Sequence, residues 1–270
     1  MTVTHLNCGS FHPVGARGGR LLPQTLVAHC LLVERADGLL LVDTGFGAAD
    51  VADPKRLGQP FRGLVRPVLD RDETAVAQVR ALGHDPADVT DIVLTHLDLD
   101  HVGGIGDFPR ARVHVYDAEL EAALHPTLQE RGRYRAAQWA HGPRWVPHHA
   151  HGDRWLGLEA VTALGDHVVM VPLAGHSRGH CGVAVARPGG GWLLHAGDSY
   201  FSAGEKEDPR TCPPGLRAFQ SLTQVDSRLR HANQQRVREL YAARRDELTV
   251  FCAHDPAELA ALAGAGTTRP

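Results

Sequence analysis

An α/β fold is predicted for this chain of 270 residues, on three observations. Short apolar, β-branched runs recur along it, stretches of helical periodicity separate them, and several runs end in a histidine or aspartate beside a glycine. The clearest case is Asp91-Ile92-Val93-Leu94, which leads straight into Thr95-His96-Leu97-Asp98-Leu99-Asp100-His101-Val102-Gly103-Gly104. Four potential metal ligands (His96, Asp98, Asp100, His101) thus fall within six positions, where a buried strand gives way to a loop. Side chains two apart on such a backbone can converge on one ion, while the adjacent Asp100 and His101 can reach another. Paired glycines let the chain turn sharply with no Cβ in the way.

Composition narrows the function. With 43% apolar and 22% charged residues and a formal net charge of -3, the chain offers no electrostatic case for a nucleic acid or an anionic membrane as partner. No apolar run approaches bilayer length, and Met1-Thr2-Val3-Thr4-His5-Leu6 lacks the basic region and apolar stretch of a secretion signal, so the expected location is cytoplasmic. Five cysteines, an odd number without any C-x-x-C spacing, suggest neither a disulfide framework nor a thiolate zinc knuckle. Histidine is the unusual residue. There are 18, with no run resembling a tag and several at strand ends, and neutral imidazole is the commonest metal ligand.

Taken in order, Leu26 to Glu34 and Gly38 to Asp43 read as strands joined at Ala36-Asp37-Gly38, the second ending in Asp43-Thr44-Gly45. Asp43 is expected to satisfy turn amides or to support the ligand loop by hydrogen bonding. Residues 48–71 show no sustained period and read as a loop able to lie over a site. Asp72 is the expected cap of a helix running to Leu82, with Gly83 as its stop. Ala111 to Tyr116 reads as a strand and Ala118 to Leu124 as a helix.

Between 125 and 155 the chain turns irregular, with Trp139, Trp145, Trp155, Tyr134 and five histidines among prolines and glycines. Two readings stand: a cap whose aromatic groups line a substrate pocket, or a surface insertion anchored by its tryptophans. A separate metal site at His148, His149 and His151 is a weaker suggestion. Beyond it, the strand His167 to Pro172 delivers Gly175-His176-Ser177-Arg178-Gly179-His180, and a hairpin over 182–196 ends in Gly197-Asp198-Ser199-Tyr200. Asp226 to Arg245 reads as a long amphipathic helix with arginines on its wet face, and Leu248 to Ala253 as a strand ending in His254.

One metal centre accounts for donors that recur after four separate strands. The set is His96, Asp98, Asp100, His101, His176, Asp198 and His254: too many for one tetrahedral ion and suited to two sharing a bridging carboxylate.

The ordered series Asp43, His96-x-Asp98-x-Asp100-His101, His176, Asp198, His254 resembles the metallo-β-lactamase superfamily from about Leu26 to Pro256. Within it, the Gly175 to His180 motif looks most like the N-acyl-homoserine lactonase branch. The resemblance implies a four-layer α/β/β/α sandwich, here a single domain over 1–270, with metals at one edge of the packed sheets. It implies that His96, Asp98 and His176 hold a first metal, that Asp100, His101 and His254 hold a second, and that Asp198 bridges them. Where this chain has Asp98 the pattern usually has histidine. The departure implies a first site that is changed, or one that stays empty while only the second fills.

Two divalent cations facing three aspartates and a hydroxide would be close to neutral, which should acidify the bound water less. Zinc is the expected metal, with manganese or iron better tolerated than at a histidine-rich site. The implied reaction is attack by a metal-bridging hydroxide on a lactone or ester carbonyl, with Asp100 carrying the proton. Tyr200 either polarises that carbonyl, as a tyrosine near this position does in the lactonases, or merely packs as an aromatic; it lies two residues after Asp198, not three. His180 and Asp43 are expected to support the ligands. A small-molecule substrate and a homodimer are the expected partners. Competing readings are hydrolysis of a β-lactam, thioester or phosphodiester at the same centre, and a non-catalytic ligand-binding member with an impaired site.

Overall fold

The computed structural model describes residues 1–265 other than 17, 18 and 20. Two sheets carry the core. The first runs β1 (Thr2–Phe11), β2 (Leu26–Arg35), β3 (Gly38–Val42), β4 (Val89–Val93), β5 (Arg112–Tyr116) and β6 (Arg144–His148), in spatial order β1-β2-β3-β4-β5-β6. A two-stranded ribbon, β7 (Arg154–Trp155) and β8 (Leu158–Glu159), leads to the second sheet. That sheet is built from β9 (Val161–Leu164), β10 (Val168–Pro172), β11 (Cys181–Ala186), β12 (Trp192–His195) and β13 (Leu248–Phe251), in spatial order β13-β12-β11-β10-β9. Among the described residues eight α-helices accompany them: α1 (Ala48–Ala52), α2 (Gln59–Val65), α3 (Ala75–Ala81), α4 (Leu99–Val102), α5 (Asp117–Leu124), α6 (Pro214–Thr223), α7 (Ser227–Ala243) and α8 (Pro256–Ala265).

Alternation along the strands explains the layering. In β2 and β3, Leu31, Val33, Leu40 and Val42 pack against Val168, Met170, Val183 and Val185 of the other sheet, which buries both inner faces. Their neighbours Cys30, Leu32, Leu39 and Leu41 point the opposite way, onto Val76 and Val79 of α3 and Ala122 of α5. The outer residues of the second sheet, Val169, Val171, Leu194 and Val250, pack on Val237 and Leu240 of α7. Three apolar interfaces between four layers are the α/β/β/α sandwich expected from the sequence.

Strand direction then decides where the polar ends go. β3 and β4 are parallel neighbours, and so are β12 and β13. β10 is antiparallel to β11, which is antiparallel to β12, so β10, β12 and β13 also end on the same side. Main-chain bonds tie the two sets of ends together: Cys181 N–H donates to Thr95 O at 2.9 Å, and His29 N–H to Ala253 O at 2.9 Å.

Several expectations need correction. β1 was not foreseen, because Thr2–Phe11 mixes polar and apolar residues, yet it pairs along β2 with a break between Asn7 and Ser10. Residues 48–71 are not a plain loop but contain α1, a 3-10 turn over Pro54–Leu57, and α2. The helix expected from Asp72 begins at Ala75, and Thr74 is its cap, its side chain accepting from Ala77 N–H. Segment 125–155 is not irregular throughout, because β6 within it extends the first sheet in parallel with β5. In α7, Arg230 is not on the wet face but buried, bonding Gln224 at 2.7 Å and Gln220 at 3.0 Å. All five cysteines are free and buried. Among the described residues, no helix is long and apolar enough to cross a membrane.

Candidate metal centre

The first ligand loop follows β4 and closes into the single turn of α4. Asp98 occupies the N-cap position, where an aspartate side chain normally accepts from helix amides, but this one makes no capping bond. Its carboxylate points instead towards His176, with Asp98 Oδ2 3.1 Å from His176 Nε2 and 3.5 Å from His96 Nε2. His176 arrives on the loop after β10, Asp198 on the turn after β12, and His254 on the turn that follows β13. Seven donors therefore meet in two groups, one of His96, Asp98, His176 and Asp198, the other of Asp100, His101 and His254, each with ligand atoms within 4.8 Å of one another.

Asp198 belongs to both neighbourhoods. Its Oδ2 lies 3.3 Å from His176 Nε2 and 3.8 Å from His96 Nε2. Its Oδ1 lies 3.3 Å from His101 Nε2 and 3.1 Å from His254 Nε2. Asp100 Oδ2 stands 3.7 Å from His254 Nε2 and 4.0 Å from His101 Nε2, too far for direct bonding and close enough to share an ion. His96 Nε2, His101 Nε2 and Asp198 Oδ1 are buried with no hydrogen-bond partner. Buried polar atoms are seldom left so, and a divalent cation is the partner that fits nitrogen and carboxylate donors converging from three sides.

At His101 and His254 the opposite ring atom is held from behind, which fixes which nitrogen faces inward. His101 Nδ1 lies 2.8 Å from Asp43 Oδ2, and Asp43 also accepts from Thr95 N–H at 2.8 Å and Thr95 Oγ1 at 2.7 Å. Asp43 takes up this position with a left-handed φ of 56° at the end of β3. His254 Nδ1 donates to Val27 O at 2.8 Å. His180 is not a donor to the centre; its Nδ1 donates to Leu173 O at 3.0 Å and its Nε2 accepts from Asp198 N–H at 2.8 Å, so it orients Asp198.

Charge follows from this packing. Burial opposes ionisation of Asp198, but the rings of His254, His101 and His176 hold its carboxyl well below the usual range. Asp98 is likewise held well below it, burial being outweighed by the Arg133 guanidinium and by His96 and His176. Asp100 moves the other way: burial and the neighbouring charges of Asp198 and Asp98 raise it against the pull of His101 and His254. Burial resists protonation of His101, yet Asp198, Asp43 and Asp100 raise it well above its ordinary value. The rim is a sink for positive charge.

Two residues that the sequence reading missed hold the first group in place. Glu119, fully buried on α5, accepts from Leu97 N–H at 3.0 Å, Ser177 Oγ at 2.6 Å, Gly179 N–H at 3.0 Å and Tyr134 Oη at 3.0 Å. One carboxylate thus joins the His96 loop, the His176 loop and the 125–155 segment. Arg133 is the other, its Nη1 3.2 Å from Asp98 Oδ1. A glutamate in the first turn of a short helix, or an arginine in an irregular stretch, carries no sequence signal of burial beside a distant motif.

Five of the donors, Asp98, Asp100, His176, Asp198 and His254, line the floor of a cavity of about 450 Å³. Its walls are apolar: Phe11, Val14, Leu22 and Leu26 from one side, Pro60, Phe61, Leu64 and Val65 of α2 from another, and Leu216, Phe219 and Leu222 of α6 from a third. From segment 125–155 come Gln129, Glu130, Gly132 and Arg133, not the three tryptophans. Trp139 and Trp145 pack on the helix side of the first sheet, and Trp155 stacks edge-on to Trp192 at 5.3 Å. Nor do His148, His149 and His151 form a donor group among the described residues: His148 Nε2 faces His114 Nδ1 at 2.9 Å, while His149 and His151 pair at the surface.

Tyr200 also requires correction as a catalytic residue. It is fully buried in the core beneath the second sheet, and its hydroxyl donates to Glu258 at 3.1 Å. Extended backbone at Tyr200 sends successive side chains to opposite sides, so the aromatic ring that reaches the cavity is Phe201, packed 4.7 Å from His254.

This arrangement is that of a known family. The chain matches the metallo-beta-lactamase superfamily over residues 24–254 and belongs to it. A probable metallo-hydrolase of Mycobacterium tuberculosis is 44% identical over 258 residues, covering 94% of this chain and 80% of that protein. The N-acyl homoserine lactonase AttM of Rhizobium johnstonii is 31% identical over 228 residues, covering 84% and 81%. Among solved structures, an N-acyl homoserine lactone hydrolase with the product N-hexanoyl-L-homoserine bound at its catalytic metal center superposes with a TM-score of 0.74 at 22% identity, over 97% of each chain. AidC, a dizinc quorum-quenching lactonase, does so with a TM-score of 0.60 at 17% identity, over 94% and 85%. The structural likenesses show a shared fold.

Proposed function

We propose that this chain is a metal-dependent hydrolase that opens a lactone, or cleaves an open-chain carboxylic ester, at a two-cation centre. The observation that carries the reading is Asp198, whose two oxygens face both donor groups at the floor of an apolar cavity. His96, Asp98 and His176 would hold one cation and Asp100, His101 and His254 the other, with Asp198 between them. Zinc is the first choice, and manganese or iron suit a site with three carboxylates. When bound, the cations supply Lewis-acid polarisation of the carbonyl and lower the pKa of the attacking water.

The chain's own residues do the rest. Asp100 takes the proton of the attacking water and passes it to the departing alkoxide. His180 and Asp43 keep Asp198 and His101 from turning away. Walls drawn from α2, α6 and the chain before β2 exclude water and accommodate an acyl chain, which agrees with the lactonases among the relatives. A homodimer is part of the proposal. So is a cytoplasmic setting, which agrees with five unpaired, buried cysteines.

The test is a substrate panel of lactones with short and long acyl chains, carboxylic and thioesters, a β-lactam and a phosphodiester. Each is assayed with metal stripped and with zinc, manganese or iron restored, and with products weighed by mass spectrometry. Metal-dependent addition of one water to lactones is the expected result. Turnover confined to the β-lactam or the phosphodiester, or none in any metal, would overturn it.

A further inference from the structure

The carboxylate of Asp98 stands between two histidines on one side and a guanidinium on the other. Arg133 Nη1 lies 3.2 Å from Asp98 Oδ1, and Asp98 Oδ2 faces His176 and His96. Arg133 is not free to swing out to solvent, since its side chain is 10% exposed and its Nη2 donates to Thr223 O at the end of α6. The turn that carries it is pinned on both flanks. Glu130 accepts from Arg178 on the His176 loop at 2.7 Å, and Tyr134 donates to Glu119 at 3.0 Å. Neither Arg133 Nη1 nor Asp98 Oδ1 completes a hydrogen bond, so the pair is held by charge and by this scaffold.

Resting on the two-cation reading above, we propose that Arg133 is a positioning residue of the first donor group. It occupies Asp98 Oδ1, so that Oδ2 alone is presented to a cation shared with His96 and His176. It also returns the positive charge that a third carboxylate removes. Three aspartates and a hydroxide would leave two divalent cations with no excess charge, and the guanidinium restores one positive charge. The expectation of a nearly neutral centre, drawn from Asp98 alone, therefore gives way to one in which Asp98 and Arg133 act together in place of a neutral imidazole. A carboxylate with one oxygen engaged stays monodentate, which favours the low coordination number of zinc over the octahedral preference of harder ions.

The experiment compares the full-length wild type with Arg133→Met, Arg133→Lys, Asp98→His and the double variant Asp98→His/Arg133→Met. Each is stripped, and its two cation affinities are measured by chelator competition with zinc. Cobalt(II) absorption then reports coordination number, and circular dichroism with thermal melting reports the fold. In Arg133→Met one of the two sites is expected to weaken by roughly 10–100-fold, the range for loss of a residue that orients a ligand, while the other is unchanged. Its cobalt bands should fade as Asp98 becomes bidentate. Arg133→Lys keeps the charge without the planar fork and should lie between wild type and Met. Asp98→His alone leaves a guanidinium against an imidazole and should also weaken that site, whereas the double variant recovers it.

Equal affinities and spectra for wild type and Arg133→Met, or no recovery in the double variant, would overturn the assignment while leaving the two-cation reading standing. A wild type that takes up no cation under any condition would overturn both. Should Arg133→Met fail to fold, Arg133→Lys and the two Asp98→His variants decide the matter on the same readouts.

Discussion

The two donor groups are built in different ways. Behind His101 and His254 stand Asp43, just past the end of β3, and the Val27 carbonyl of β2, both carried by the first sheet. Behind Asp98 stands a cation, Arg133, brought in by a segment with little regular structure and locked there through Glu119 and Arg178. A group supported by its own sheet inherits the rigidity of the ladder. A group supported from outside depends on several surface-derived contacts agreeing, and it can be altered without touching a strand.

Substitutions can break or sharpen that contrast, and the largest effect on the centre is expected from Asp198→Asn. Losing the one carboxylate that faces both groups should empty both and lower activity by about three orders of magnitude, the scale of several kcal/mol of lost charge stabilisation. Metal analysis and turnover check it. If one cation stays at full affinity, Asp198 does not serve both. Next, Asp43→Asn should weaken only the cation at His101 and His254, by roughly 10–100-fold, and leave the other alone. Chelator competition resolves the two steps, and equal weakening of both would erase the distinction drawn here.

Smaller again, Phe219→Ala on the cavity wall should raise KM for long-chain lactones by roughly tenfold while cation content holds, because it removes apolar contact and no ligand. Identical KM values across chain lengths would remove α6 from the binding wall. Least effect on either group is expected from His5→Gln, since His5 sits on β1 with its ring 2.8 Å from His29. Burial and the nearby His195 lower its pKa to about 4. Its unfolded value is near 6.5, so the unfolded chain binds the extra proton first. Stability should therefore be flat above pH 6.5 and fall as pH drops from 6.5 towards 4, and the substitution should flatten that fall in thermal melts. A melt profile unchanged by the substitution would show that His5 contributes nothing to acid sensitivity.

The contrast also explains what could be read from the sequence. Strands such as β4, β10 and β13 announce themselves as short apolar runs, and their polar ends are local facts of the chain, so His96, His176, Asp198 and His254 were legible together with the two-sheet fold. What was lost lies where meaning depends on a partner far away in sequence. Glu119 looks like any helix-start acid until Leu97, Ser177 and Gly179 are seen to donate to it. Arg133 looks solvated, and Arg230 sits in an arginine-rich helix yet is buried against Gln220. Tyr200 loses its expected place beside the carbonyl, and Phe201 reaches the cavity instead, because one residue of register in an extended stretch moves a side chain from cavity to core. The tryptophans of 125–155 were conspicuous for their size, yet they pack away from the cavity.

Glycine packing has a consequence for how such an enzyme can diverge. A methyl group added at Gly175 would come within 2.2 Å of Arg230 N, one at Gly179 within 2.0 Å of Glu119 N, and one at Gly45 within 2.1 Å of Cys8 O. At these three positions the loops beside the donors are pressed against neighbouring backbone and admit no larger residue. Val14, Leu64 and Leu222, by contrast, are 46%, 40% and 71% exposed around the opening. Selection for a new substrate meets little resistance there, so catalytic chemistry and molecular preference can evolve on separate parts of the same small protein.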